Sequence, residues 1–262
     1  MTAVRGIVLD MEGVLHVDWQ PIRGSAEAVR RLAGAGLALA VLTNTTGRTR
    51  AAIAERLDGM GFALPAGRII TAASAAADHV RAEHPGARVC ALVEPGVAPD
   101  LEGIDIVADP GDADVVLLGG PDGSWTYERL NRVFRVIREG VPLIAMQRNR
   151  WWPTVDGPSL DAGMFVVGLE YAASTTATVI GKPSPEIYRT ACELLGVPPA
   201  AAMMVGDDPE SDLAPAAAIG MRTCLVRTGK GAAFGEAAVD LDLPDLAALP
   251  EALVQKGLTG RA

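Results

Sequence analysis

Five carboxylates and one lysine carry the chemistry open to this chain. Asp10 and Glu12 fall in DMEG, Asp207, Asp208 and Asp212 in GDDPESD, and Lys182 in GKPSPEIY. Gathered in one crevice, the carboxylates would repel and raise one another's pKa values. A divalent cation relieves that repulsion, and an all-oxygen set of carboxylates plus a backbone carbonyl suits Mg²⁺. Thr43-Asn44-Thr45-Thr46 adds hydroxyls and turn N–H groups. Beside a metal and a lysine these make a phosphate site. An aspartate facing such a phosphate can attack it and form an aspartyl-phosphate. Asp10 is the candidate nucleophile, because a rigid strand tip would aim its oxygen. Each stretch also has a plainer reading, as a helix cap or a turn. Four of them with the same polarity in one chain exceed what capping needs.

The elements that must position these groups are legible as short apolar runs alternating with amphipathic stretches. Strands are expected at 5–10, 37–43, 88–93, 114–119, 141–146, 178–181, 201–206 and 221–226. Helices are expected near 25–34, 48–60, 72–84, 126–139, 162–173, 185–195 and 210–219. Continuous apolar strands separated by helices imply parallel strands covered on both faces. The fold class is therefore α/β, a doubly wound, Rossmann-like parallel sheet with an inserted smaller α/β domain. Such sheets place ligands beyond their C-terminal strand ends, where each of the four polar sets falls. The insert is expected at 76–176, within a core made of 1–75 and 177–254, and residues 255–262 are expected to fray.

Composition excludes other classes. Hydrophobic residues make up 49% and charged residues 21%, which implies a packed protein and not a disordered one. The formal net charge of -9 argues against a nucleic-acid partner. Cys90, Cys192 and Cys224 stand singly in apolar contexts, as reduced core residues do. No signal pattern opens the chain and no apolar run reaches the ~18 residues of a membrane span. A soluble, cytoplasmic protein without a membrane partner is the expectation. Gly34-Ala35-Gly36 fails the dinucleotide fingerprint, and Gly181-Lys182-Pro183 lacks the rest of a P-loop.

DMEGV, TNTT, GKPSPEIY and VGDDPESD, in that order, resemble the four motifs of the haloacid dehalogenase superfamily of phosphohydrolases. About 138 residues separate Asn44 from Lys182, which looks like the subclass with a C2-type cap inserted there, class IIA. LGGPDGSWTYERLN, GMFVVGLEYA and TATVIGKPSPEIY are similar to a narrower group of C2-capped phosphatases, and the resemblance spans roughly 4–235. It implies a Mg²⁺-dependent phosphatase of a small phosphorylated metabolite, cleaving a phosphoric monoester, a pyrophosphate or a phosphoramidate. It also implies roles. Asp10 would be nucleophile and metal ligand, with the carbonyl of Glu12 and the carboxylate of Asp207 completing the protein's share of the Mg²⁺ shell. Thr43 and the N–H of Asn44 would hold the phosphoryl oxygens. Lys182 would neutralise nucleophile and phosphate, and Asp208 and Asp212 would orient metal waters and Lys182. By analogy with capped relatives the insert closes over the crevice and offers a homodimer surface.

One position departs from the family pattern. The usual acid/base is an aspartate two residues after the nucleophile, and this chain has Glu12. Its carboxyl group stands one methylene further out, and proton transfer depends on hydrogen-bond reach. A poorer proton donor favours substrates with weakly basic or already protonated leaving groups, such as phosphoramidates, pyrophosphate, acyl phosphates and aryl phosphates. Glu12 also keeps open a non-enzymatic phosphate- and metal-binding role. A receiver-like phosphoacceptor, which also sets Asp, Thr and Lys at strand ends, conflicts with the long insert. Within the insert, Gln147, Arg148, Asn149, Arg150, Trp151 and Trp152 offer donors and flat apolar surface for substrate, or simply form a packed turn. His16 lies close enough to Asp10 in sequence to approach the site, although such a histidine is more often structural. Arg48 and Arg50 could touch phosphate but stand where helix arginines are usually solvated.

Overall fold

The computed structural model describes residues 2–154 and 156–258, and the side chains of residues 152–154, Trp152 among them, lie outside what it describes. The chain divides into two compact units. The first contains Met1–Thr43, Arg50–Ile70 and Lys182–Ala262, and the second Asn44–Thr49 and Thr71–Gly181.

The first unit is built on six strands in the order Leu241–Leu243, Arg222–Val226, Ala202–Gly206, Gly6–Leu9, Ala38–Thr43, Ile69–Thr71. Gly6–Leu9 is central and parallel to both neighbours, with Leu9 opposite Val205 on one side and Val41 on the other. Its four residues are all buried, which is why they read as one apolar run without alternation. Ile53, Phe62 and Leu246 are among the residues that pack with Leu9, Val41 and Val205 in one core cluster. Pro185–Leu195 shows how a helix is written for this job. It buries Ile187, Tyr188, Ala191, Cys192 and Leu195, the 3–4 spacing of one face, and carries proline in its first turn. Parallel pairing brings Asp10, Thr43 and Asp207, each at or just beyond the end of its strand, to one edge of the sheet.

The second unit has its own five-stranded sheet, ordered Thr178–Val179, Leu143–Ala145, Val115–Leu118, Arg88–Leu92, Asp105–Ile106. Its ladders are parallel as well. Ala72–Glu83, Tyr127–Arg138 and Ala162–Ala173 are its helices, and Trp151–Thr154 pairs with Gly157–Leu160 as an antiparallel hairpin. Its core gathers Cys90, Leu92, Val116, Leu118, Val133 and Val166, and Trp125 meets Phe165 edge to face at 4.8 Å.

Four expectations from the sequence change here. Residues 178–179 do not join the core sheet but pair with Ile144 and Ala145 in the second unit. Lys182 is thus not at the tip of a core strand; it stands where the chain re-enters the first unit. The division falls at 70/71 and 181/182, five residues outside the expected 76–176 at each end. Helix Ala72–Glu83 belongs with the insert because Arg81 donates to the carbonyls of Asp100 and Glu102 within it. Asn44–Thr49 also groups with the second unit, where Asn44 Nδ2 donates to Asn149 Oδ1 at 3.4 Å. The stretch expected as helix 210–219 is a π-helical turn, Pro209–Leu213, followed by Ala214–Ala218.

The three cysteines are free and buried. No helix among the described residues is long and apolar enough to cross a membrane. The tail is held further than expected, since helix Leu249–Gln255 is followed by Leu258, which is buried and whose carbonyl accepts the N–H of Val4 at 2.7 Å. Residues 259–262 lie outside the described residues. Leu258→Ala is expected to lower the unfolding free energy by about 2 kcal/mol or more, as read by urea titration. A frayed tail would leave the midpoint unmoved.

Candidate active site

The site is assembled from the strand ends of the first unit. Beyond Leu9 the ladder continues for one residue, because Asp10 N–H donates to Val205 O at 2.9 Å. This fixes the backbone from which the buried Asp10 carboxylate projects. Asp10 Oδ1 accepts from Lys182 Nζ at 2.7 Å, and the same ammonium donates to Asp212 Oδ1 at 2.7 Å. Burial works against the charge on Lys182, but Asp10 and Asp212 outweigh it and hold the ammonium well above its ordinary pKa. Asp212 is wholly buried, and its N–H donates to Asp208 O at 2.8 Å.

Asp207 is held from the far side by a loop that the sequence reading passed over. After strand Arg222–Val226 the chain runs Arg227-Thr228-Gly229-Lys230, and Lys230 N–H donates to Asp207 Oδ2 at 2.7 Å. Thr228 Oγ1 donates to the carbonyl of Gly13, tying this loop to the turn after Asp10. Glycine is required on both sides of the carboxylate. A Cβ at Gly13 or Gly229 would lie 2.1 or 2.2 Å from Asp207 Oδ2, and both residues have positive φ. The sequence carries a signal for this loop, a glycine-rich turn with a lysine directly after the apolar run 221–226.

Oxygens of Asp10, Asp207 and Asp212 lie within 4.8 Å of one another. Burial, reinforced by the charge of Asp10, pushes Asp207 up to about 7. Burial likewise raises Asp212 to about 7 against the pull of Lys182. Three buried carboxylates facing one buried ammonium are out of balance, and either protons or a further cation must settle the difference. The all-oxygen donor set and its glycine-lined cradle fit a small divalent cation.

Asp208 stands outside that group of oxygens. Its Oδ1 accepts the N–H groups of Glu210 and Ser211, and its Oδ2 meets Lys230 Nζ at 2.9 Å. Burial would raise it, but Lys230 and the two N–H groups hold it below the usual carboxylate range. Thr43 is the buried last residue of its strand, and Asn44 follows it into the second unit.

Glu12 is also apart from the three clustered carboxylates. Its side chain is 57% exposed and turned to the hairpin that follows, accepting Asp18 N–H at 2.8 Å and lying 3.0 Å from His16 Nδ1. Partial burial raises its pKa, and the contacts with His16 and the Asp18 N–H outweigh this and bring it below the ordinary glutamate value. His16 is therefore placed on Glu12. Arg48 is exposed in the second unit and Arg50 begins helix Arg50–Gly59. In the loop of the second unit, Gln147 is buried against Asp161, Arg148 pairs with Glu170 at 2.7 Å, and Asn149 N–H donates to Gln147 Oε1. Arg150 and Trp151 are exposed.

A parallel six-stranded sheet with an acidic, lysine-bridged edge and an α/β insert is the arrangement of a haloacid dehalogenase-type phosphatase. The comparisons agree. The family model "Haloacid dehalogenase-like hydrolase" matches residues 7–107, and the model "HAD-hyrolase-like" matches residues 179–251. Haloacid dehalogenase-like hydrolase domain-containing protein 2 of Homo sapiens is 35% identical over 89% of this chain and 88% of its own length. Phospholysine phosphohistidine inorganic pyrophosphate phosphatase of Xenopus laevis is 36% identical over 87% of this chain and 84% of its own. The solved p-nitrophenyl phosphatase from Archaeoglobus fulgidus superposes with a TM-score of 0.88 at 27% identity, covering 95% of this chain and 99% of that one. This chain belongs to the haloacid dehalogenase-like hydrolases, and within them it is a phosphatase.

The raised carboxylates give a pH signature. Folded Asp207 keeps its proton up to about pH 7, whereas an unfolded aspartate has released it near 3.8. Its contribution to stability is full at low pH and is lost as pH rises towards 7. In EDTA-treated protein, Asp207→Asn is therefore expected to gain Tm relative to wild type by about 5 °C or more between pH 4.5 and 7.5. A Tm difference that stays constant across that range would show that Asp207 is not raised.

Proposed function

We propose that the chain is a Mg²⁺-dependent phosphohydrolase of small phosphorylated molecules that works through an aspartyl-phosphate on Asp10. The observation that carries this is the Lys182 ammonium bridging Asp10 and Asp212 while Asp207 crowds the same pocket. Asp10, Asp207 and the carbonyl of Glu12 would hold the cation, whose charge offsets that of carboxylates and phosphate together. Thr43 and the Asn44 N–H would hold the phosphoryl oxygens, and Lys182 would neutralise the nucleophile and the incoming dianion. An Asp10 oxygen forms the new bond to phosphorus as the bond to the leaving group breaks. Water then cleaves the acyl phosphate, returning the carboxylate and releasing inorganic phosphate. Positioning and charge neutralisation supply most of the rate gain in such a step.

The substrate class we favour is an activated phosphoryl donor. Two lines support it: Glu12 in place of aspartate, and relatives named for pyrophosphate, phospholysine, phosphohistidine and p-nitrophenyl phosphate. A phosphate-release screen over a metabolite panel with Mg²⁺ tests it directly. Asp10→Asn is expected to abolish turnover with the fold intact, since the amide cannot accept the phosphoryl group. Exhaustive EDTA treatment is expected to do the same, Mg²⁺ to restore activity, and Ca²⁺, with its looser coordination, to inhibit. Retention of a tenth of wild-type activity by Asp10→Asn, or full activity in EDTA, overturns this mechanism.

A homodimer through the second unit belongs to the same proposal. Helix Ala162–Ala173 exposes Met164, Val167 and Tyr171 on one face, and the cross-strand pair Trp151 and Leu160 is exposed on the hairpin. Light scattering at micromolar concentration is expected to give twice the chain mass, and a monomeric mass removes the dimer.

A further inference from the structure

The turn that follows the nucleophile holds more than the reaction above requires. His16–Val17 and Gln20–Pro21 form a minimal hairpin, with His16 opposite Pro21 and Val17 opposite Gln20. Its two tip residues, Asp18 and Trp19, have φ of 47° and 58°. A two-residue loop with both φ values positive is normally written Asn-Gly or Asp-Gly, because only small or locally hydrogen-bonded residues enter that region cheaply. A tryptophan there is strained, and strain of this kind persists only where surrounding contacts fix it.

Those contacts converge on Glu12. The strained turn aims Asp18 N–H at Glu12 Oε1, 2.8 Å away. It also lays the Trp19 ring on the His16 ring, with centroids 4.6 Å apart and planes 19° from parallel. Arg56 Cζ sits 4.2 Å from the Trp19 ring centroid, adding a cation–π contact. His16 is wholly buried, and its Nδ1 lies 3.0 Å from Glu12 Oε2. Trp19 N–H also approaches Nδ1, at 3.3 Å. One nitrogen cannot both donate and accept, and the shorter contact, to an acceptor-only carboxylate, assigns the proton to Nδ1. Each Glu12 oxygen thus has a donor on the hairpin, and neither belongs to the cluster of Asp10, Asp207 and Asp212 oxygens.

We propose that His16, Asp18 and Trp19 form a clamp that parks the Glu12 carboxylate, and that this clamp sets which leaving groups the enzyme can expel. The proposal rests on the Asp10-centred reaction described above. When phosphorus passes to Asp10, the electron pair of the breaking bond goes to the leaving atom. An alkoxide needs a proton at that moment, and a carboxyl group tied to the hairpin does not deliver one. An aryl oxide, a departing phosphate or an amine that left already protonated needs none. His16 and Asp18 are positioning residues in this scheme, acting through Glu12.

His16→Phe tests the clamp, because it keeps a flat ring on Trp19 and removes the Nδ1 donor. Its kcat/KM ratio for glycerol phosphate over p-nitrophenyl phosphate is expected to rise about tenfold above wild type. The rise is expected to vanish in His16→Phe/Glu12→Gln, and His16→Asn, which returns an N–H donor near the Nδ1 position, is expected to restore the low ratio. An unchanged ratio in folded His16→Phe, or a rise that survives in the double variant, overturns the clamp. Amide exchange of Asp18 by NMR reads the same contact without turnover and without His16→Phe having to fold. Slow exchange in wild type that accelerates in Glu12→Ala is expected, and fast exchange in wild type overturns the proposal. Failure of the reaction itself has a different signature, phosphate release that persists in Asp10→Asn.

Discussion

One buried ammonium shared between two buried carboxylates governs the first unit. Lys182 cannot stay charged in that interior without Asp10 and Asp212, and neither carboxylate could be buried so fully without it. Asp207, crowded against the same oxygens, leaves the group with more negative than positive charge. Under the proposed function, that imbalance is what would draw in a cation and then a phosphate. Val8, Leu9, Val205 and Leu225 in the strands around it are wholly buried, and their side chains offer no polar atom to compete for the lysine.

Backbone geometry enforces the arrangement as firmly as charge does. Gly13 and Gly229 come from turns distant in sequence, yet each closes on the same Asp207 oxygen to a distance that no side chain would tolerate. Gly206 repeats the logic for Asp212, whose Oδ2 would lie 2.4 Å from a Cβ placed there. The carboxylates are thereby positioned by the absence of side chains around them, and their hydrogen bonds to Lys182 and to Lys230 N–H complete the orientation. Such sites hold their donors in place before any ligand arrives, which is the condition for electrostatic stabilisation without reorganisation.

Against that rigidity, Glu12 is governed by a different constraint. Its backbone belongs to the turn after Asp10, while its carboxylate is held by the neighbouring hairpin. The side chain of Glu12 is therefore oriented by a strained turn and not by the carboxylate cluster beside it.

The sequence by itself determined the class of fold, the central strands and the identities of the charged residues. Apolar runs such as Gly6–Leu9 and Ala202–Gly206, short and bounded by turn residues, read as strands buried on both faces, and parallel pairing then carries Asp10 and Asp207 to one edge. Local pattern was a weaker guide wherever partners were chosen at long range. Thr178–Val179 looks like the other strands, and only its pairing with Ile144 and Ala145 decides which sheet it joins. Short elements such as His16–Val17 and Leu241–Leu243 carry too few residues for a period to show. The direction of the Glu12 side chain, the closure of Gly229 on Asp207 and the anchoring of Leu258 were decided by tertiary structure alone. Each is a contact between residues whose identities are compatible with many neighbours, and packing selects one of them.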